Sequence, residues 1–154
     1  MEQFRLNYFP LTYLFFLVTL AIVCFWQDTS LVLFSGFKVN LAFIGLTLLL
    51  SWRLPFSPSF LGLLVVLSSL SFSPFFSSYW LPLLITFLLL FIISHSYALV
   101  RFWHVLVNGF LLTFMFYSSL NLYFLLSNFS LIFWEASLTG LLSVLLFEIL
   151  PRPN

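Results

Sequence analysis

The last apolar segment of this 154-residue chain, residues 131–150, contains two carboxylates, Glu135 and Glu148. A carboxylate in hydrocarbon costs several kcal/mol unless it is paired, neutralised or able to reach water. Two carboxylates that share acid and base catalysis must lie within several ångströms of one substrate. On one helix these two, 13 positions apart, are separated by roughly 20 Å, so they do not form a catalytic pair.

The two glutamates therefore have separate interpretations. Glu148 lies four residues before Arg152, a spacing that predicts an ion pair at a membrane interface. Glu135 lies about one turn into the outer end of the segment. It either marks the helix boundary, bonds a polar group on a neighbouring helix, or contacts a ligand or partner.

Two histidines, His95 and His104, flank Arg101. A metal site would need a third ligand, and no Cys, Asp or Glu is near them in sequence. We interpret both as interfacial residues without a catalytic task. Many serines are present, but none lies in a G-x-S-x-G nucleophile elbow. The sequence thus predicts neither an enzyme nor a metal or cofactor site.

Three asparagines are the other candidates for a polar site. Asn108 and Asn121 lie inside the fifth apolar segment, where buried amides usually bond across helices. Asn40 begins the second segment. Together Asn40, Asn108 and Asn121 are the groups that could line a polar cavity.

A row of small residues follows Glu135 in the last segment. Ala136, Gly140 and Ser143 recur at i, i+4 and i+7, on one face of a helix. Small residues let helix backbones approach closely in lipid. We therefore predict a helix-packing face that includes Glu135, Ala136, Gly140 and Ser143. Its partner is either another helix of this chain or a second protein.

The composition indicates the class of protein. The chain is 63% hydrophobic and 6% charged, whereas soluble domains carry roughly 25% charged residues. Because so little charge could not cover a soluble surface, we predict an all-α integral membrane protein that contacts lipid. The net charge of +1 and the absence of a basic cluster exclude nucleic acid as a partner. A single cysteine, Cys24, excludes an internal disulfide.

A helix needs about 20 apolar residues to cross a bilayer. Charged residues and prolines divide the chain into one polytopic domain of six candidate spans. These are residues 8–26, 39–52, 57–70, 81–98, 102–126 and 131–150. Residues 30–37 are either a loop or an extension of the second helix.

The charges favour one orientation of these spans. With the N-terminus inside, six spans place Arg5, Arg53, Arg101 and Arg152 on the cytoplasmic side and only Lys38 outside. Cytoplasmic ends collect Lys and Arg. We therefore predict six transmembrane helices with both termini in the cytoplasm.

The segment from residue 38 to residue 75 resembles the rod-shape-determining protein MreD family. The sequence KVNL at residues 38–41 resembles that family's start of the second helix. Gly62-Leu63, followed by SFSP at residues 71–74, resembles its third helix. The chain departs from the family pattern at Val39, Ser68 and Phe76, where the family has proline, aspartate and glycine.

The resemblance implies a fold similar to the substrate-binding S-components of energy-coupling-factor transporters. It also implies a non-catalytic scaffold subunit of the bacterial cell-elongation machinery in the inner membrane. Such a subunit would bind an MreC-like bitopic partner and help to position the peptidoglycan synthase.

Other functions stay open at this point. A substrate-binding transport subunit would have an outward cavity with Asn40, Glu135 and the serines after the third helix. A small hydrophobic subunit of a respiratory or organellar complex is compatible with the Phe-rich composition. An intramembrane enzyme has the least support, because no nucleophile with a base can be placed.

Overall fold

The computed structural model describes residues 11–24, 40–70, 76–96 and 101–150. Within these ranges the chain forms seven helices and no strand, so the all-helical prediction is confirmed. The helices are α1 (Leu11–Cys24), α2 (Leu41–Ser51), α3 (Phe56–Leu70), α4 (Phe76–Ser96), α5 (Arg101–Leu120), α6 (Leu122–Ser127) and α7 (Phe129–Ile149).

The ends of α2 follow from local chemistry. Asn40 is extended, with φ −84° and ψ 95°, and its side chain accepts a hydrogen bond from the backbone N–H of Phe43 over 3.3 Å. This is an N-cap, which satisfies one of the free N–H groups of the first turn. After Ser51, Arg53 adopts a left-handed conformation with φ 52°, and Pro55 follows. The second helix therefore begins at Leu41, while residues 30–37 lie outside the described ranges.

The fifth predicted span is divided in two. Helix α5 ends at Leu120, and the side chain of Asn121 accepts hydrogen bonds from the N–H groups of Tyr123 and Phe124 over 2.9 and 3.2 Å. Asparagine competes with the helix for backbone hydrogen bonds and favours such caps. The chain therefore bends at Asn121 into the short α6 and turns back into α7. The fourth helix also differs from its prediction, because it begins at Phe76.

The core of the bundle surrounds α2. Every residue from Ala42 to Ser51 is buried. A helix that is apolar on all sides, like LAFIGLTLLLS, is covered on all sides by others. Helices α3, α4, α5 and α7 all contact it, and Leu20 of α1 packs against Gly45. The short α2 is therefore the centre around which the longer helices pack.

Contacts along α2 show which helix ends lie together. The rings of Phe43 and Phe116 pack edge to face at 4.9 Å near the start of α2, and Asn108 bonds Ser51 near its end. Helices α2 and α5 are therefore antiparallel. Trp52 and Leu150 pack on the same cluster of apolar residues as Val105. The end of α2, the start of α5 and the end of α7 thus share one end of the bundle.

Two helices of the described ranges are long and apolar enough to cross a membrane. They are Phe102–Leu120, with a mean hydropathy of 1.2, and Phe129–Ile149, with a mean hydropathy of 1.7. Shorter apolar stretches are Leu11–Cys24, Leu41–Ser51, Phe56–Ser69 and Trp80–Ser96. Length and composition select α5 and α7, whereas the six-span arrangement stays a prediction.

Large apolar side chains also cover the outside of the bundle. Those of α4 repeat at helical spacing and are 45–64% exposed: Leu81, Ile85, Leu89 and Ile92. Comparable rows lie on α1 (Leu11, Phe15, Val18 and Ile22) and on α7 (Leu141, Leu145 and Ile149). Polar side chains are buried between the helices instead: Thr47, Asn108, Thr113, Glu135, Thr139 and Ser143 are each at most 7% exposed.

Candidate functional site

Helices α5 and α7 pack backbone to backbone. A Cβ atom added to Gly109 would lie 2.9 Å from the Cα atom of Gly140, and one added to Gly140 would lie 3.0 Å from the carbonyl oxygen of Leu106. Real Cβ atoms essentially never approach another heavy atom to less than 3.0 Å, so a side chain at Gly109 would require the two backbones to move apart. Two facing glycines therefore set the separation of these helices.

The small-residue row lies in this contact. Ala136, Gly140 and Ser143 are buried on the face of α7 that packs within the bundle, together with Glu135 and Thr139. The Ser143 hydroxyl donates to the carbonyl oxygen of Thr139 over 2.6 Å, so it is satisfied inside its own helix. Gly140 meets α5 of the same chain, which assigns this part of the row to packing inside the bundle.

Glu135 is bound to α5 by a hydrogen bond. The Tyr117 hydroxyl donates to Oε2 of Glu135 over 2.9 Å, and the glutamate is 7% exposed. Tyr117 is half-buried, with its ring against Phe116 and Phe124. The pair joins the last turn of α5 to the second turn of α7. It is therefore a polar cross-link at the end of the α5–α7 hairpin that is remote from Arg53.

The environment of this pair contains a second buried polar group. Thr139 lies one turn after Glu135 and is completely buried. Within the described ranges, its hydroxyl oxygen has no hydrogen-bond partner. The buried carboxylate, the phenol and this hydroxyl are the polar groups of the α5–α7 contact near the turn. Of these three groups, the phenol and the carboxylate are hydrogen-bonded to each other.

The three predicted cavity asparagines have separate local partners. Asn40 caps α2 and Asn121 caps α6, as described above. The Nδ2 group of Asn108, which is fully buried, donates to the Ser51 hydroxyl over 3.3 Å and links α5 to α2. Two of these amides thus shape helix ends and the third joins two helices; a shared polar cavity stays a prediction.

The two histidines lie at the Arg53 end of the bundle. His104 is 4% exposed in the first turn of α5. His95 is exposed on the last turn of α4, where its Nδ1 lies 2.9 Å from the carbonyl oxygen of Phe91. Since a carbonyl only accepts, this contact places a proton on Nδ1. Among residues 11–24, 40–70, 76–96 and 101–150, no three His, Cys, Asp or Glu side chains group as metal ligands would.

Glu148 is exposed in the last turn of α7. Its predicted partner Arg152 lies outside the described residues, so the ion pair stays a prediction. The exposed position agrees with a helix end, in contrast to the buried Glu135.

Two residues of the α5–α7 contact, Tyr117 and Gly109, are not part of the predicted packing face, although both face α7. The available signal was the hairpin itself: residues about equally far from the turn at 121–128 face each other in antiparallel helices. Gly109 and Gly140 are such a pair, whereas Tyr117 bonds Glu135, which lies almost one helical turn further from the loop than Tyr117 does.

The described part of the chain is thus an all-α bundle in which α5 and α7 form the most extensive helix–helix contact. No family model, curated protein or solved structure matches this chain.

Proposed function

We propose that this protein is an integral membrane protein whose outer apolar faces lie in lipid. The observation that carries this proposal is the distribution of polarity. Apolar rows cover α1, α4 and α7 outside, while Asn108, Glu135 and the buried threonines lie between helices. Soluble monomers rarely expose contiguous apolar patches larger than a few hundred Å². In a bilayer the same apolar rows would contact lipid, and the polar side chains between the helices would be kept away from it.

We further propose six spans with both termini in the cytoplasm of a bacterium. The helix ends that adjoin Arg53, Arg101 and Arg152 share one end of the bundle, as a cytoplasmic excess of arginine requires. Over the described residues, three of the proposed spans, α1, α2 and α3, are short for a bilayer. Their flanking residues, snorkelling side chains or local thinning would cover the difference.

The activity we propose is that of a non-catalytic scaffold. The small and polar residues of α5 and α7 serve contacts inside the bundle, which leaves the outer helix faces for neighbouring membrane proteins. By its resemblance to the MreD family, the chain would act in the cell-elongation machinery of the inner membrane. Its partners would then be an MreC-like protein and a peptidoglycan synthase.

Thiol labelling in intact cells tests the membrane arrangement. We would replace Cys24 by alanine and introduce one cysteine at exposed Ser127, beside the α6–α7 turn, or at exposed Ser57, near Arg53. A membrane-impermeant maleimide should label S127C in intact cells and S57C only after permeabilisation. Equal labelling of both in intact cells, or recovery of the protein without membranes, would contradict the proposal.

A second experiment tests the scaffold. A photo-crosslinking amino acid at exposed Ile92 or Leu145 would be activated in living cells, with buried Leu90 as the matched control. Crosslinks to an MreC-like protein or a peptidoglycan synthase, present at the exposed sites and absent at position 90, would support it. Crosslinks to ATP-binding-cassette subunits would support a transport subunit instead.

A further inference from the structure

An apolar groove runs between α1, α2 and the end of α7. Its volume is about 880 Å³, within the range of pockets that bind whole ligands. Phe15 and Thr19 of α1 line one wall, Gly45 and Leu48 of α2 line the floor, and Leu146 of α7 closes one side.

The walls offer almost no hydrogen-bonding groups. Of the lining side chains, only two threonines and the Trp52 indole are polar. The Thr19 hydroxyl already donates to the carbonyl oxygen of Phe15 over 2.9 Å. The Trp52 indole nitrogen is buried away from the groove surface, so that residue contributes its ring. Such a groove suits hydrocarbon rather than a polar substrate.

One end of the groove adjoins positive charge. Trp52 lines that end, and the next residue, Arg53, is exposed in the turn after α2. Arg53 follows Trp52 directly, so its positive charge lies one residue beyond the groove wall. Apolar walls with a basic end match the two parts of an anionic phospholipid.

We propose that this groove holds the acyl chains of an anionic phospholipid, with the phosphate at the Arg53 end. The inference rests on the membrane location proposed above. It adds a specific lipid site, because phosphate contact at one basic end fixes both the position and the direction of the bound chains.

The test compares phosphatidylglycerol with phosphatidylcholine of the same acyl chains. Each lipid would be titrated into the full chain in mild detergent, and bound lipid would be counted by native mass spectrometry. We expect tighter binding of phosphatidylglycerol. Arg53→Gln should weaken its binding roughly fivefold, the contribution of one basic residue at an anionic lipid surface. Arg53→Lys should retain the preference.

Two tryptophan substitutions test the groove itself. Thr19→Trp fills it from an exposed position, whereas Ile22→Trp changes an exposed residue of the same helix that does not line the groove. We expect Thr19→Trp to lose most binding of both lipids and Ile22→Trp to retain it. Circular dichroism would verify that both variants are helical.

Several results would overturn the lipid site. They are equal binding of both lipids by the unchanged chain, unchanged phosphatidylglycerol binding in Arg53→Gln, or equal binding by the two tryptophan variants. A failure of the membrane proposal would be visible separately, as protein recovered without membranes in the labelling experiment.

Discussion

At the scale of single residues, the Tyr117–Glu135 hydrogen bond explains how a carboxylate is tolerated in an apolar helix. An isolated buried carboxylate is costly, but a hydroxyl donor from the facing helix compensates part of that cost. Glu135 is 7% exposed and has this donor at 2.9 Å. The residue therefore joins two helices, whereas Glu148 lies exposed in the last turn of α7.

Removing the donor should cost more than neutralising the acceptor. Tyr117→Phe leaves the buried carboxylate without its donor, and we expect the free energy of unfolding in detergent to fall by about 1–3 kcal/mol. Glu135→Gln keeps a carbonyl acceptor and should cost less. When Glu135→Gln is already present, adding Tyr117→Phe should lose less stability than in the unchanged chain. Tyr123→Phe, at a site that is 80% exposed, is the control and should change little.

A double-mutant cycle measured by chemical or thermal unfolding would give the coupling between the two side chains. A coupling of zero would mean that the hydrogen bond contributes nothing to stability. In that case Tyr117 would act only by packing its ring.

At the scale of helices, the distance between α5 and α7 is short because glycines, which have no side chain, face each other in their contact. Gly109 and Gly140 face each other, so the two backbones approach as closely as glycine permits. Polar residues on the same face, including Glu135 and Ser143, then lie within reach of facing groups or of their own helix. Asn121 ends α5 and leads into the turn that makes this antiparallel contact possible.

Alanine at Gly109 should separate the two helices. The new Cβ would be 2.9 Å from the Cα atom of Gly140, and a backbone atom cannot rotate away. We expect a loss of about 1–3 kcal/mol in the free energy of unfolding. Gly62→Ala is a matched control, because there the nearest obstacle is the end of the flexible Leu49 side chain. Equal losses in both variants would show that close backbone approach is not what matters at Gly109.

The break at Asn121 can be tested by its cap. Asn121→Ala removes the acceptor for the N–H groups of Tyr123 and Phe124, and should cost about 0.5–2 kcal/mol in the free energy of unfolding. Asn121→Ser keeps an acceptor and should retain most of the stability. Thermal unfolding followed by circular dichroism measures both. A serine variant as unstable as the alanine variant would assign the effect to something other than capping.

At the scale of the whole molecule, the cost of placing a polar side chain in an exposed apolar row depends on whether water or lipid surrounds that row. Leu89 on α4 is 45% exposed. In water, replacement of such a surface residue usually changes stability by less than about 0.5 kcal/mol. In a bilayer, a lysine near the centre of a helix costs about 2.5–3.5 kcal/mol for insertion.

Leu89→Lys therefore distinguishes the two environments. If α4 faces lipid, we expect reduced membrane insertion and a lower amount of protein in the membrane fraction, measured by immunoblotting. Glu148→Lys, at an exposed helix end, is the control and should insert normally. Normal insertion and stability of Leu89→Lys would argue that α4 faces water or a polar partner.

The sequence by itself determined that the chain is helical and apolar, because its composition and the charged residues and prolines that divide it, Pro55 among them, act locally. It also identified Ala136, Gly140 and Ser143 as one packing face, since their spacing follows from helix geometry. The tertiary structure decided that Gly140 meets α5 of the same chain, that Tyr117 is the donor to Glu135, and that Asn121 divides the fifth segment. Hydrophobic burial has no direction and selects no partner. The register of a hairpin, which brings Gly109 to Gly140, depends on where the turn forms and how the backbones pack.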